Sequence, residues 1–230
     1  MNLRRAEGPV LRIGHRGAAA LAPANTIASI EAALAAGVDL VELDVFGGPA
    51  RMLVLGHSRR ELGAEPTSLE DALALLARAP GPGLVADMKS GGFERELVEA
   101  LRRHGLVERA VVSTYDLSTL RACRRLEPQL TRSRTYPRRR LYPAVRLVTR
   151  LALLFRVGWF FVDVEAAATT LDYRLVTRAV VERCHAQGAA VLAWTVNDRA
   201  KLARLDELGV DGVITDDPRI FQGSRATLPA

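Results

Sequence analysis

The sequence predicts an α/β fold in which a parallel sheet closes into a barrel. Short apolar runs typical of buried strands alternate with longer segments in which apolar residues recur at helical spacing. Strict alternation favours a parallel sheet, and eight predicted strands favour its closure. The 230 residues suit one barrel, so we expect a single domain over residues 1–230, with its core at about 10–222 and a short C-terminal tail.

The predicted strands are short and apolar. They are Val10–Gly14, Leu40–Val45, Leu84–Lys89, Ala110–Tyr115, Leu130–Thr135, Phe160–Glu165, Ala190–Val196 and Gly212–Thr215. Turn residues at positions 47–49 interrupt the chain after the second strand, and Met52–Leu55 then supplies another apolar run. We interpret that run as the returning arm of a β-hairpin rather than as a barrel strand.

The predicted helices lie between these strands. They are Thr26–Ala36, Ser68–Ala79, Glu94–His104, Leu117–Leu126, Ala144–Val157, Arg174–Gln187 and Arg199–Leu208. Four of them are followed by a glycine, which suits the left-handed residue that commonly ends a helix. These glycines are Gly37, Gly105, Gly188 and Gly209.

The chain is basic, with 32 Lys and Arg residues against 26 Asp and Glu residues and a net charge of +6. Nearly all the basic residues are Arg, since Lys occurs only at Lys89 and Lys201. A positive balance favours nucleic acid, anionic lipid or a phosphorylated substrate, while an Arg- and Ala-rich composition equally reflects genome composition. Composition alone leaves these alternatives open.

Cysteine usage and hydropathy indicate a cytoplasmic protein. Cys123 and Cys184 lie in helix-like segments without metal-ligand spacing, so we expect reduced thiols. Residues 1–11 lack the apolar core of a signal peptide, and no apolar run is long enough to span a bilayer.

Chemistry in a parallel barrel is expected where the strands end. The polar residues at these positions are His15, Arg16, Glu42, Asp44, Asp87, Lys89, Ser113, Tyr115, Arg134, Asp163, Glu165, Trp194, Asn197, Thr215 and Asp216. Side chains in a strand alternate between its faces, so Glu42 and Asp44 share one face. Two carboxylates so close favour a hard divalent cation. The alternative is a strand with two solvated acids.

Two histidines and a lysine also lie at the predicted carboxyl ends of the strands, which form one rim of the barrel. His15 follows the first strand, and a chain that reverses after Gly47 brings His57 back to the level of Asp44. Asp87 and Lys89 share one face of the third strand, which favours a third metal carboxylate beside a cation for phosphate. A structural Asp–Lys pair is the alternative.

Taken together, the motifs resemble the glycerophosphodiester phosphodiesterase family from about Val10 to Pro218. The matching residues are Gly14-His15-Arg16-Gly17, Pro23, Asn25-Thr26, Glu42-Leu43-Asp44, Gly56-His57, Asp87-Met88-Lys89, Ser113-Thr114-Tyr115, Trp194-Thr195-Val196-Asn197 and Gly212-Val213-Ile214-Thr215-Asp216. In this order and spacing they are jointly specific.

The resemblance implies a TIM-type (β/α)8 barrel that binds one divalent ion, Ca²⁺ or Mg²⁺, and cleaves a phosphodiester. We therefore expect a small phosphodiester or lysolipid substrate and no nucleic-acid partner. The implied roles are base or nucleophile for His15, acid for His57, metal ligation by Glu42, Asp44 and Asp87, phosphate binding by Arg16 and Lys89, and a pocket wall at Trp194. The chemistry is consistent, because a phosphodiester is anionic and its oxygens need compensating positive charge.

The sequence departs from the family pattern at several positions. Ala24 replaces a usual Glu, Ser58 replaces a usual Asp, and Asp87 replaces a usual Glu. The polar segment that normally follows the second histidine is missing, since the helix predicted from Ser68 begins soon after His57. A shorter rim favours a more open mouth, which would admit a bulkier or lipidic diester.

Residues 138–157 allow two interpretations. Three consecutive arginines at 138–140 precede a predicted helix with a broad apolar surface. This helix either lies on anionic lipid, at about 1 kcal/mol per basic residue near the surface, or docks against the barrel. We favour docking, with peripheral membrane contact as the alternative.

The leading hypothesis is a metal-dependent phosphodiesterase that hydrolyses glycerophosphodiesters or lysophospholipid-like diesters to an alcohol and a phosphomonoester. The first alternative is a phospholipase-D-like lyase that forms a cyclic phosphate with the same histidines. The second is a non-catalytic barrel that binds lipid or polyanions, although a pure binder gains nothing from buried carboxylates.

Overall fold

The computed structural model describes residues 1–5, 8–58, 60–62, 65–137, 145, 148, 149, 152 and 164–222. Its strands are β1 (Leu11–Gly14), β2 (Leu40–Gly47), β3 (Leu53–Leu55), β4 (Gly83–Met88), β5 (Ala110–Thr114), β6 (Thr131–Tyr136), β7 (Ala168–Asp172), β8 (Ala190–Trp194) and β9 (Gly212–Thr215). All except β3 pair in parallel in the order β1-β2-β4-β5-β6-β7-β8-β9, and β9 pairs with β1. This closed ring of eight strands confirms the predicted TIM-type barrel.

Helices connect the strands along the described parts of the chain. They are α1 (Ile27–Ala35), α2 (Leu69–Arg78), α3 (Glu94–Arg103), α4 (Leu117–Leu126), α5 (Arg178–His185) and α6 (Arg199–Glu207). Short 3₁₀ turns lie at Pro49–Arg51, Val107–Arg109, Tyr173–Leu175 and Pro218–Phe221. The glycines predicted to end helices at positions 37, 105, 188 and 209 all have positive φ, as the left-handed conformation requires. Among the helices described, none combines the length and the apolar character needed to cross a membrane.

The predicted β-hairpin arm is also confirmed. Strand β3 runs antiparallel to the end of β2, and Val45 pairs with Leu55. The turn between them contains two residues with positive φ, Ala50 and Arg51. The arm returns the chain to the barrel rim, where Gly56 N donates to the carbonyl oxygen of Asp44 (2.9 Å).

The predicted sixth barrel strand, Phe160–Glu165, is wrong where it can be compared. Val164 and Glu165 lie in a turn, residues 160–163 fall outside the described residues, and the strand at this place in the barrel is β7. Strand β7 contains Thr169 and Thr170, whose hydroxyls are buried and hydrogen-bonded, so the segment lacks a continuous apolar signal. The helix predicted to begin at Arg174 begins at Arg178 instead, after Thr177 caps it.

The segment considered for membrane contact, residues 138–157, lies outside the described residues except at positions 145, 148, 149 and 152. The C-terminal tail also lies outside them, from residue 223 onward. The alternatives raised for residues 138–157 therefore stay predictions.

Two apolar layers position the site. The inner layer fills the barrel and consists of Leu3, Ile13, Leu40, Val85, Val111, Ala168, Ala190, Leu192 and Ile214. The outer layer packs the opposite faces of the strands against the helices. Because side chains alternate, the residue two positions after an inner apolar residue also points inward, as Asp87 does after Val85 and Ser113 after Val111. Polar groups therefore lie close together at the end of the barrel, next to the apolar inner layer.

Candidate active site

A cleft of about 530 Å³ opens at the end of the barrel where the parallel strands terminate. Its lining is His15, Arg16, Glu42, His57, Val85, Asp87, Lys89, Ser113, Tyr115, Thr135, Pro137, Thr170, Trp194, Thr195 and Ile214. All the predicted site residues are in this lining except Asp44, whose side chain is fully buried. One cleft therefore collects nearly the whole predicted set.

Three carboxylates from two neighbouring strands meet at one side of the cleft. Asp44 on β2 is the register partner of Asp87 on β4, and Glu42 precedes Asp44 on the same face. One oxygen from each carboxylate lies within 4.8 Å of the other two. The Asp44 Oδ1 atom is buried. An all-oxygen cluster of this kind suits a hard cation such as Ca²⁺ or Mg²⁺.

Two cationic side chains contact these acids. Lys89 Nζ lies 2.6 Å from Asp44 Oδ1 and also pairs with Asp87. Arg16 Nε lies 2.9 Å from Asp44 Oδ2, and the Arg16 backbone N–H donates to Glu42 Oε2 (2.9 Å). Both cations predicted to bind phosphate are thus anchored on the acidic cluster, with Asp44 as their common partner.

The pKa values of the acids separate according to their neighbours. Burial, together with the charge of Asp44, raises the pKa of Glu42 to about 7. Burial also opposes ionisation of Asp44, but the contacts with His57, Lys89 and Arg16 hold the pKa of that carboxyl well below its usual range. Asp44 is therefore the permanent anion around which the other charges are arranged.

His15 is held between two acids. Its Nδ1–H donates to Asp216 Oδ1 (2.6 Å), and its Nε2 lies 3.9 Å from Glu42 Oε2. Burial would lower the pKa of His15, but the charge of Glu42 and the hydrogen bond to Asp216 outweigh burial and raise it. Asn197 holds Asp216 in turn: its amide donates to Oδ2 (2.5 Å) and its carbonyl oxygen accepts the Asp216 N–H (2.9 Å).

His57 lies on the hairpin side of the cleft. Its Nδ1 is 3.3 Å from Asp44 Oδ2 and 3.2 Å from Arg16 Nη2, and its side chain is 45% exposed. The two histidines thus border the acidic cluster from different elements, His15 beside Glu42 and His57 beside Asp44. Of these two imidazoles, that of His57 is the more exposed to solvent.

The turn that carries His15 and Arg16 depends on two glycines. A Cβ at Gly14 would lie 2.2 Å from the carbonyl oxygen of Gly17. Gly17 has φ +85°, and a Cβ there would lie 2.3 Å from the hydroxyl of Ser29. This hydroxyl donates to the carbonyl oxygen of Arg16 (2.9 Å), which locks the turn onto helix α1. Only glycine permits this close approach.

Three residues that hold the charged groups of the site in place had no predicted role. Asn25 donates its amide to Asp44 Oδ2 (3.1 Å) and accepts the Asp44 backbone N–H (3.1 Å). Asn25 belongs to a motif that matches the family, and Asp216 and Asn197 lie at predicted strand ends, so the sequence marks each residue as a candidate. The sequence does not indicate their hydrogen-bond partners, because every partner lies far away along the chain.

Some predicted rim residues do not reach the cleft. Arg134 is absent from the lining, whereas Thr135, the next residue on β6, is part of it. Glu165 lies in a turn and pairs with Arg124. Asp163 falls outside the described residues. Trp194 does line the cleft, and its indole Nε1 donates to the carbonyl oxygen of Thr170 (3.1 Å).

Comparisons with known proteins agree on one family. The model of the glycerophosphoryl diester phosphodiesterase family matches residues 15–63 and 77–220. A glycerophosphodiester phosphodiesterase from Caldanaerobacter subterraneus subsp. tengcongensis is 27% identical over 248 residues, which cover 90% of this chain and 94% of that protein.

Solved structures show the same fold. A glycerophosphodiester phosphodiesterase from Parabacteroides distasonis is 20% identical with a TM-score of 0.76, covering 94% of this chain and 97% of that one. A phosphodiesterase from Oleispira antarctica, solved in complex with the product sn-glycerol-3-phosphate, is 24% identical with a TM-score of 0.72, covering 91% and 94%. These matches confirm the predicted resemblance and enzyme class. The chain belongs to the glycerophosphoryl diester phosphodiesterase family.

Proposed function

We propose that the protein is a metal-dependent phosphodiesterase that hydrolyses glycerophosphodiesters or lysophospholipid-like diesters to an alcohol and a phosphomonoester. The observation that carries the proposal is that His15 and His57 border a cluster of three carboxylates, two of which line the same cleft. General acid–base chemistry needs imidazoles at the reacting atoms, and an anionic diester needs compensating positive charge.

Glu42, Asp44 and Asp87 would hold one divalent ion, Ca²⁺ or Mg²⁺. Their mutual distances and their oxygen donor atoms support this assignment. When bound, such an ion withdraws negative charge from the phosphoryl oxygens. Arg16 and Lys89 add positive charge beside it and would hold the phosphate, since both side chains line the cleft.

His15 would act as the base or nucleophile through Nε2. Asp216 accepts the Nδ1–H, so the neutral ring carries its lone pair on Nε2, the nitrogen nearer Glu42. His57 would donate a proton to the oxygen of the leaving alcohol, an assignment that its half-exposed position supports. Each imidazole would contribute on the order of 10²–10⁴-fold.

Trp194 would form a wall beside the bound substrate. Its ring is fixed by the indole hydrogen bond to the backbone of β7, and the residue lines the cleft. An aromatic wall gives the carbon skeleton of the substrate an apolar contact while the charged groups engage the phosphate.

Phosphorus NMR tests the proposal. The protein is incubated with glycerophosphocholine or lysophosphatidylcholine, with and without EDTA. We expect linear glycerol phosphate or lysophosphatidate, and no product when EDTA is present. Formation of a cyclic phosphate would indicate the lyase reaction instead of hydrolysis. Absence of any product under every condition would indicate a binding protein without turnover.

A further inference from the structure

The Lys89 ammonium contacts two of the three clustered carboxylates at the same time. Its Nζ atom lies 2.6 Å from Asp44 Oδ1 and also pairs with Asp87. The Asp44 side chain has no exposed surface, and that of Lys89 is 18% exposed. Because little water lies between these charges, they interact strongly. Lys89 therefore engages two of the carboxylates that are assigned to the divalent ion.

The other oxygen of Asp44 is engaged by three different donors. Oδ2 lies 2.9 Å from Arg16 Nε and 3.3 Å from His57 Nδ1, and it accepts from the Asn25 amide (3.1 Å). An ionised carboxylate has about four lone-pair sites, two on each oxygen, so these donors already saturate Oδ2. The oxygen of Asp44 that a divalent ion would use is therefore Oδ1, the one that contacts Lys89.

Two cations on the same carboxylates compete with each other. An ammonium group and a divalent ion that share Asp44 Oδ1 and Asp87 would repel each other across a poorly hydrated space. The ammonium of a lysine is carried on a flexible four-carbon stem, so it can turn away without any change of the backbone. Lys89 lines the cleft, so the space into which its ammonium would turn is the cleft itself.

We propose that Lys89 exchanges partners when the divalent ion binds. Before binding, its ammonium neutralises Asp44 and Asp87. After binding, the ion takes over these carboxylates, and the ammonium turns into the cleft, where the phosphate would lie. Loading of the ion thereby prepares the phosphate site, so the anionic substrate binds after the ion. This inference rests on the proposed function and adds an order of binding to it.

The small number of lysines makes the exchange observable in wild-type protein. The chain contains only Lys89 and Lys201, and the side chain of Lys201 is 49% exposed. The protein is acetylated with an N-hydroxysuccinimide ester, with and without Ca²⁺ and in the absence of substrate, and mass spectrometry measures the rate at each lysine. Saturating Ca²⁺ should accelerate acetylation of Lys89 by about 5- to 10-fold, because the ammonium leaves its carboxylate partners. The rate at Lys201, the internal reference, should stay unchanged.

Calorimetry without substrate measures the competition itself. Lys89→Gln removes the competing ammonium, so Ca²⁺ should bind this variant roughly 10-fold more tightly than it binds wild type. Lys201→Gln is the matched control, because it removes the other lysine of the chain, which lies on α6. Its affinity for Ca²⁺ should stay within twofold of wild type. Lys89→Met serves as a second variant if Lys89→Gln fails to fold.

Three results would overturn the exchange. The first is an unchanged acetylation rate at Lys89 under conditions in which calorimetry shows Ca²⁺ bound. The second is binding of Ca²⁺ to Lys89→Gln or Lys89→Met that is no tighter than to wild type. The third is a wild-type protein that binds neither Ca²⁺ nor Mg²⁺. None of these measurements contains substrate, so a failure of the exchange remains distinguishable from a failure of the hydrolysis followed by phosphorus NMR.

Discussion

His15 and Asp216 join the two ends of the chain at the candidate catalytic centre. The Nδ1–Oδ1 distance is 2.6 Å, although the residues are separated by 201 positions in the sequence. Strands β1 and β9 are neighbours in the closed barrel, and Gly14 pairs with Thr215. Closure of the barrel therefore supplies the partner that orients the histidine.

Asp216→Asn should lower kcat roughly 10²-fold while KM changes by less than threefold, because the amide no longer favours the tautomer with its lone pair on Nε2. Long-range ¹⁵N NMR of His15 should show the altered tautomer. Asp217→Asn is the control, since Asp217 pairs with Arg219 at the surface. Equal effects of both substitutions would remove the positioning role of Asp216.

His57→Ala should affect substrates according to their leaving group. A general acid matters most for a poor leaving group such as an alkoxide, so hydrolysis of glycerophosphocholine should fall roughly 10²–10⁴-fold. Hydrolysis of bis(p-nitrophenyl) phosphate should fall much less, because p-nitrophenolate leaves without a proton. His104→Ala, which removes a histidine paired with Glu70, should leave both rates near wild type. A uniform loss for both substrates in His57→Ala would contradict the acid role.

Removal of the cation should abolish turnover. EDTA should lower activity by more than roughly 10²-fold, and added Ca²⁺ or Mg²⁺ should restore it. Asp87→Asn should raise the metal concentration needed for half-maximal activity, whereas the exposed Asp71→Asn should not. Metal bound per chain is measured by plasma mass spectrometry. Full activity of metal-free wild type would exclude the assigned ligand set.

The two cysteines should be inert in the folded protein. Burial raises the pKa of both Cys123 and Cys184 to about 12, so neither thiol ionises near neutrality. Ellman's reagent at pH 8 should label no thiol in native protein and two per chain in guanidinium chloride. Rapid labelling of native protein would show that α4, which contains Cys123, or α5, which contains Cys184, opens readily.

Asp211→Ala should destabilise the fold by about 1–3 kcal/mol, because it leaves a buried backbone donor without a partner. The Asp211 carboxylate has no exposed surface and accepts from Val191 N (2.8 Å), Arg5 N (3.1 Å) and His185 Nε2 (2.8 Å). Urea unfolding measures the change. Glu99→Ala, which removes only a 4.0 Å surface pair with Arg95, should change stability by less than about 0.5 kcal/mol. Similar losses in the two variants would contradict the stabilising role of the buried Asp211 contacts.

Strand β6 shows where prediction from sequence fails. It reads Thr131, Arg132, Ser133, Arg134, Thr135, with polar residues at both odd and even positions. Alternation therefore assigns these side chains to two faces of the strand, but it does not predict which face points into the barrel. The structure directs Ser133 and Thr135 inward, whereas Arg132 turns away and donates to backbone carbonyl oxygens. The sequence therefore did not reveal that Ser133 and Thr135 face the inside of the barrel.

The sequence by itself determined the barrel, the hairpin arm and the grouping of Glu42 with Asp44, because these depend on local periodicity and on turn residues. Only the tertiary structure decided which strand stands sixth in the ring, which residues hold Asp216 and Asp44, and which face of β6 lines the cleft. These features depend on contacts between distant segments, and such contacts exist only once eight strands have closed on one another.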